Sequence, residues 1–232
     1  LEKAETLINL TPLSKLEIKE MTIANRKERQ KEELRGKILE AAKALFIERG
    51  FEETSIRNIA EKIEYSPTTI YLYFKDKDDI FYALHQEGFV LLNQYLRALQ
   101  NVTDPFERLK AICKAYIAFA LENREFYDLM FISRSPMNAL TKDKDDEKWV
   151  EGNKAFGALI GTVTECVQQG YFAGMDPEVL SFTCWSMVHG ICSLEIRGRC
   201  TVISEANQEN LTGKAGAIII EILERMHQNL KQ

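Results

Sequence analysis

Apolar residues recur at spacings of three and four along nearly the whole chain, and the strict alternation of a half-buried strand is almost absent. Residues three and four apart share one face of an α-helix, so this spacing predicts an all-α fold built from packed amphipathic helices. With 232 residues and 45% hydrophobic side chains, the chain has enough apolar surface for one large domain or two modest ones.

Helix boundaries come from capping chemistry. Ser66-Pro67, Asp104-Pro105 and Asp176-Pro177 each put a capping side chain ahead of a proline at the first helical position. Proline is harmless there, because that N–H has no helical partner in any case. Ile38, Leu39, Ala42, Leu45 and Phe46 share one face of a helix of about four turns that Gly50 stops. Ile56, Ile59, Ala60 and Ile63 give a second, shorter helix with Thr54 placed to cap it. Asp76 and Asp79 have capping-box spacing ahead of a long helix whose stripe is Ile80, Phe81, Leu84, Leu91, Leu92, Tyr95 and Leu99. Further helices are predicted from Asp104 to Leu121, through Phe126, Tyr127, Met130 and Phe131, and from Trp149 to Gln169. Two more run from Pro177 to Arg197 and from Glu209 to Leu230, and residues 134–148 read as a surface loop.

Charge and cysteine usage narrow the function classes. The net charge is −5, yet residues 26–77 carry 12 Lys and Arg against 10 Asp and Glu, a slightly basic head on an acidic body. The five cysteines are odd in number and form no CxxC pair, which fits reduced thiols in the cytoplasm. No apolar run approaches the ~18 residues of a membrane span, and the start lacks a signal-peptide layout. Met21 would make a natural start, so residues 1–20 read as an addition or an upstream extension.

Metal and catalytic signatures are wanting. His189 and Cys192 are three apart, but two ligands do not close a zinc site and no third lies at useful spacing. The run DKDD at 143–146 lacks the turn glycine and terminal glutamate of a calcium loop. No nucleophile elbow, phosphate loop, dinucleotide fingerprint or paired-carboxylate pattern occurs, so no metal, no cofactor and no enzymatic activity are expected.

One stretch asks for a partner outside the protein. In SPTTIYLYF, Ser66 to Phe74, Ile70 and Phe74 face inward, which leaves Thr68, Thr69, Tyr71 and Tyr73 over the outer faces. With the helix before it, the Glu64-Tyr65 turn and the longer first helix, this makes a tri-helical helix-turn-helix module. Hydroxyls on such a surface suit base edges and phosphate oxygens, and a threonine methyl can touch a thymine methyl. Packing alone is the competing reading for each tyrosine. Lys77 opens the next helix, where an ammonium beside the helix dipole is unfavourable unless an anion is near.

The run ILEAAKALFIERGFEETSIRNIAEKIEYSPTTIYLYFKDKDDIFYAL, Ile38 to Leu84, resembles the DNA-binding domain of the tetracycline-repressor family of bacterial transcription regulators. The motifs that carry the resemblance are A-x-x-L-F-x-x-x-G-F, T-S-x-R-x-I-A and T-x-Y-x-Y-F-K-x-K. It implies that Arg57, Ser66, Pro67, Thr68 and Thr69 face bases, and that Ser55, Tyr71, Tyr73 and Lys77 face phosphates of a double-stranded operator. Members usually have Gly where this chain has Glu64; a positive φ there would cost Glu about 1 kcal/mol.

The resemblance further implies a three-helix DNA-binding domain at 31–78 and a larger helical domain at 79–232 that binds an effector and dimerises, about nine helices in all. Residues 1–30 form an N-terminal extension or arm: the alternating charges of NRKERQKEELRGK read as a solvated helix start, or as an arm in which Arg26, Lys27 and Arg29 follow the DNA. Candidate walls for a roomy aromatic pocket are Tyr116, Phe119, Phe126, Tyr127, Met130, Phe131, Trp149, Phe156, Trp185 and His189, each of which core packing would also explain. The acidic surplus leans toward a neutral or cationic lipophile over an acyl thioester. Candidate homodimer contacts are Ser186, Gly190, Ser193, Ala215, Ile219, Ile222 and Met226, which could instead close the protomer's own core. The function expected is a homodimeric repressor released by a small effector. The alternative is a DNA-binding scaffold protein that answers to a protein partner.

Overall fold

Capping residues set the helix ends, and apolar stripes fold the helices onto two adjoining cores. The computed structural model describes the backbone of residues 15–132 and 150–229, with side chains from residue 25 onward except at 206 and beyond 226. The expected loop at 134–148, with its acidic run, and Trp149 lie outside the described residues.

Helix α1 (Lys15–Arg49) is 35 residues long, far more than the four turns expected. Its inward face begins only at Ile38, so residues 25–33 stand exposed as a solvated helix. Arg26, Lys27 and Arg29 are helical here, and the Arg29 guanidinium lies 3.4 Å from Glu33 one turn on. Gly50 ends α1 with φ +87, a conformation that glycine adopts without strain.

Helix α2 (Ile56–Lys62) is capped by Ser55, not by Thr54. Ser55 Oγ accepts from the Asn58 N–H at 3.2 Å while Asn58 Oδ1 accepts from the Ser55 N–H at 3.0 Å, a reciprocal box. Thr54 is buried instead, and its hydroxyl donates to the Gly50 carbonyl at 2.8 Å, tying the end of α1 to the start of α2.

Helix α3 (Pro67–Ile70) is one turn, capped by Ser66, and the chain turns through Tyr71–Tyr73 before helix α4 (Lys77–Arg97). Asp76 caps α4 by accepting from the Asp79 N–H at 2.8 Å, and Asp79 returns a bond to the Lys75 N–H at 3.0 Å. A 3-10 turn, Ala98–Asn101, leads to α5 (Pro105–Glu122) and the short α6 (Arg124–Tyr127). From α6 the chain widens into a π-helical turn, Asp128–Ile132. Then come α7 (Val150–Gln168), α8 (Pro177–Ile196), a 3-10 turn at Arg199–Val202, α9 (Glu205–Gln208) and α10 (Leu211–Asn229).

The first core holds Ile38, Leu45, Phe46, Ile59, Ile70, Phe74, Ile80, Phe81 and Leu84, with the Phe46, Phe51 and Phe81 rings at centroid distances of 4.9–5.3 Å. The second holds Phe89, Leu92 and Leu96 from α4, with Phe119, Tyr127, Val163, Cys184 and Leu223. Helix α4 therefore serves both cores. So does the π turn: Leu129 is buried in the first core, whereas Tyr127 and Met130 belong to the second. A Cβ at Gly88 of α4 would fall on Met130 Sδ, so glycine is what lets the π turn come this close.

Contrary to the sequence reading, α8 is long and apolar enough to cross a membrane by length and composition. Leu180, Ser181, Cys184, Val188 and Cys192 are buried against neighbouring helices, so one face of α8 packs inward.

His85 sits at the seam between the cores, buried, hydrogen-bonded to the Met130 backbone, with no partner for Nδ1 among the described residues. Burial pushes its pKa down to about 4. The unfolded chain therefore binds this proton first, and stability should fall as pH drops from about 6.5 toward 4, by up to roughly 3 kcal/mol. His85→Gln keeps a donor for Met130, and urea melts across that range should show a flatter profile than the parent.

Candidate nucleic-acid interface and effector site

The turn between α2 and α3 is set by Glu64, whose φ is +61, with the Tyr65 N–H reaching back to the Ala60 carbonyl at 3.0 Å. The residue does adopt the left-handed conformation that favours glycine, so strain of about 1–2 kcal/mol is stored here. Glu64→Gly should release it, less the entropy that glycine loses on folding, for a net gain near 1 kcal/mol or below in urea melts.

Beyond that turn the expected DNA-facing residues fall into two groups. Arg57, Ser66, Pro67 and Thr68 are exposed, Ser66 while also capping α3 through the Thr69 N–H, and Tyr71 is 57% exposed. Arg57 is held 3.1 Å from Glu61 along α2, so a base or phosphate would compete with that carboxylate. The other group is already engaged. Ser55 is spent on its capping box, and Thr69 is half-buried with its hydroxyl 3.0 Å from Ser66 Oγ. Tyr73 is half-buried against the first core.

Lys77 departs most from expectation. Its ammonium donates to the Phe51 carbonyl at 2.6 Å and lies 4.1 Å from the Phe51 ring centroid. The charge beside the helix start is thus satisfied by carbonyl dipoles and a ring face, and it staples the α1–α2 turn to α4. Sequence reasoning missed Leu72 and Tyr65, both large and exposed. Leu72 stands two positions from both Ile70 and Phe74, which are inward, so its outward direction was available from the helical period.

In the second domain six of the expected pocket residues converge. His189 of α8 stacks on Tyr127 at 5.3 Å, and the Phe131 and Trp185 rings lie 5.5 and 5.7 Å from it. Phe156 packs on Trp185 at 5.8 Å, and Tyr116 closes on Phe131 at 6.0 Å. The rings are in mutual contact at these distances, and Trp149, also expected in the lining, lies outside the described residues. Open volume of about 250 Å³ lies beside Leu96, Ile112, Gly157 and Gly161, and of about 440 Å³ beside Arg35, Tyr73, Tyr82 and Glu87. Phe119 packs on Tyr95 instead, and Phe126 and Met130 lie at Gly88, with the Lys43 ammonium 4.9 Å above the Phe126 ring.

The polar atoms of this cluster form a network around His189. Trp185 Nε1–H donates to Tyr116 Oη at 3.2 Å, and Tyr116 Oη lies 3.0 Å from His189 Nδ1. Tyr127 Oη lies 2.9 Å from the same nitrogen and 3.0 Å from the His189 carbonyl. Burial raises both phenol pKa values and lowers that of His189, so the hydroxyls keep their protons and the imidazole is neutral. Tyr127 Oη–H donates to the His189 carbonyl, which leaves its oxygen able to accept, so the direction of the two bonds at Nδ1 follows the ring tautomer. The neighbouring Cys192 thiol is pushed up to about 12 by burial, so it stays protonated.

The α8 and α10 faces divide the expected dimer contacts. Ser186 and Ile222 are exposed, Gly190, Ser193 and Ala215 are half-buried, and Ile219 is buried in the protomer's own core with Met226 packed against it. The outward stripe is instead Val179, 64% exposed, Phe182, 57% exposed, and Leu194 on α8, with Ile218 and Ile222 on α10.

A helix-turn-helix module on a helical body defines the class, a two-domain all-α protein with an outward hydroxyl-rich turn. Residues 38–84 match the model of bacterial regulatory proteins of the tetR family, and residues 109–212 match the tetracyclin repressor-like C-terminal domain. The chain belongs to the tetracycline-repressor family.

Among curated relatives, the HTH-type transcriptional regulator HbdR of Aromatoleum sp. (strain CIB) is 35% identical over 109 residues, 47% of this chain and 48% of that protein. The HTH-type transcriptional activator FasR of Mycolicibacterium smegmatis is 29% identical over 102 residues, 44% of this chain and 47% of that protein. The chain thus spans about half the length of the curated relatives it matches. Among solved structures, AibR in complex with isovaleryl coenzyme A and operator DNA superposes with a TM-score of 0.59 at 20% identity, covering 80% of this chain and 95% of that one.

Proposed function

We propose that this protein is a DNA-binding transcription regulator that grips a palindromic operator as a homodimer and lets go when a small effector binds. The observation that carries the reading is the α2–turn–α3 surface. Arg57, Ser66, Thr68 and Tyr71 stand outward on a packed core whose own needs are met by Ile70, Phe74 and Lys77. Two such surfaces must sit about 34–36 Å apart to enter successive major grooves, and the apolar stripe of α8 and α10 supplies the contact that would hold them so. Repression is the simplest output, since a dimer on an operator blocks access. No enzymatic step is part of this reading.

Coupling runs through α6. Tyr127 anchors that helix to His189 through its hydroxyl, while two residues on Leu129 is seated among the DNA-binding core. An effector that wedges beside His189 and Trp185 must move Tyr127, and with it Leu129. The effector then favours the arrangement that spoils half-site spacing, and operator affinity falls by the same coupling energy. A neutral imidazole among aromatic rings supports an uncharged, largely apolar molecule with one polar group for His189. AibR was crystallised with isovaleryl coenzyme A, so acyl thioesters belong in the same panel.

The test is a mobility-shift series on fragments from the source genome, followed by release with neutral lipophiles and acyl thioesters in parallel. Release by one class, lost in His189→Ala, supports the effector reading. The mutual contact of the rings favours a second reading, regulation by a protein partner, which a flat response across the whole panel would support. A protein that binds no fragment at low salt is not a DNA-binding regulator.

A further inference from the structure

Leu72 is a large apolar residue whose exposure the packing of the first core does not explain. It lies in the turn after α3, 76% exposed, on the side of that turn opposite the buried Ile70 and Phe74. Thr68 stands exposed one turn earlier on the same side, and Tyr71 is exposed beside it. Packing of the first core therefore has no use for this side chain.

Its chemistry limits what it can meet. Leucine neither donates nor accepts a hydrogen bond, and against a phosphate it would strip water from an anion and return nothing. On the major-groove edge of a base pair, the apolar group on offer is the C5-methyl of thymine. The surrounding hydroxyls of Ser66, Thr68 and Tyr71 suit polar edges and the backbone, so an apolar tip among them adds selectivity that they lack.

The geometry points to Leu72 as a reader of thymine, seating its branched tip against a C5-methyl in each operator half-site. This rests on the DNA-binding reading above and goes beyond it by assigning a base. The contact removes a methyl group from water, which corresponds to about a fourfold change in affinity per half-site.

The experiment begins with fragments selected from random duplex DNA by the full-length protein. Each thymine in the selected consensus is then replaced by deoxyuridine, which deletes the methyl and nothing else. One symmetric position should lose about fourfold per half-site with the parent protein. With Leu72→Ala, which leaves the core untouched, the same replacement should cost little, and thymine enrichment at that position should fade on reselection. Equal losses in the parent and in Leu72→Ala, or no sensitivity at any thymine while binding stays tight, would overturn the assignment and leave the DNA-binding reading standing. Failure to select any duplex would overturn both.

Discussion

If the proposed homodimer forms through α8 and α10, Phe182→Glu should leave the protomer folded, keep it monomeric and lower operator affinity by about 10²–10⁴-fold. Phe182 is exposed in the protomer, in line with Val179 on α8, and α10 offers Ile218 and Ile222. A carboxylate buried in that interface would be desolvated without a partner, which association does not tolerate. The affinity loss follows from geometry. A dimer binds its second half-site as an intramolecular event, and a monomer forfeits that gain. Sedimentation velocity at micromolar protein reads the assembly, and a salt-matched mobility shift reads the affinity. A Phe182→Glu protein that remains dimeric would place the interface on another face.

Leu129→Ala is expected to destabilise the chain by about 2–5 kcal/mol, the range for a buried leucine whose site cannot collapse. The unusual part is where the damage should appear. Leu129 belongs by sequence to the second domain, yet it is buried with Ile38, Phe46, Phe81 and Leu84 of the first. Hydrogen exchange should therefore speed up in α1 and α4 before it does in α7 and α8. Effector response should weaken as well, because the link from Tyr127 to the DNA-binding core would be slack. If exchange instead rises only in the second domain, Leu129 does not tie the two cores together.

Much of this architecture was legible in the chain. Asp104, Asp176 and Ser66 ahead of prolines marked helix starts that capping chemistry makes nearly obligatory, and the inward pair Ile70 and Phe74 followed from a four-residue spacing. The misses share a cause. Thr54 and Ser55 are equally good caps by type, and only the Gly50 carbonyl nearby decides which hydroxyl turns inward. Lys77 looked like a phosphate ligand because its partner, the Phe51 carbonyl, is a backbone atom 26 residues away that no side-chain pattern announces. Ile219 and Ile218 are indistinguishable by composition, yet one packs inward and its neighbour outward. Periodicity gives the phase of a stripe but not its width when both sides of α10 are apolar. The crowded rings around His189 could not be told from a cavity, because aromatics line pockets and fill cores alike.

Helix α4 has 21 residues and spans about 31 Å, with one end clamped in each core. A rigid rod of that length acts as a lever. A rotation of about 5° at its far end sweeps the near end through ~3 Å, close to the rise of a single base step in B-DNA. Two rods moving in mirrored fashion would put the reading heads out of step with the groove by more than one base step. A displacement too small to notice at the ring cluster is thus large on the scale that nucleotides set.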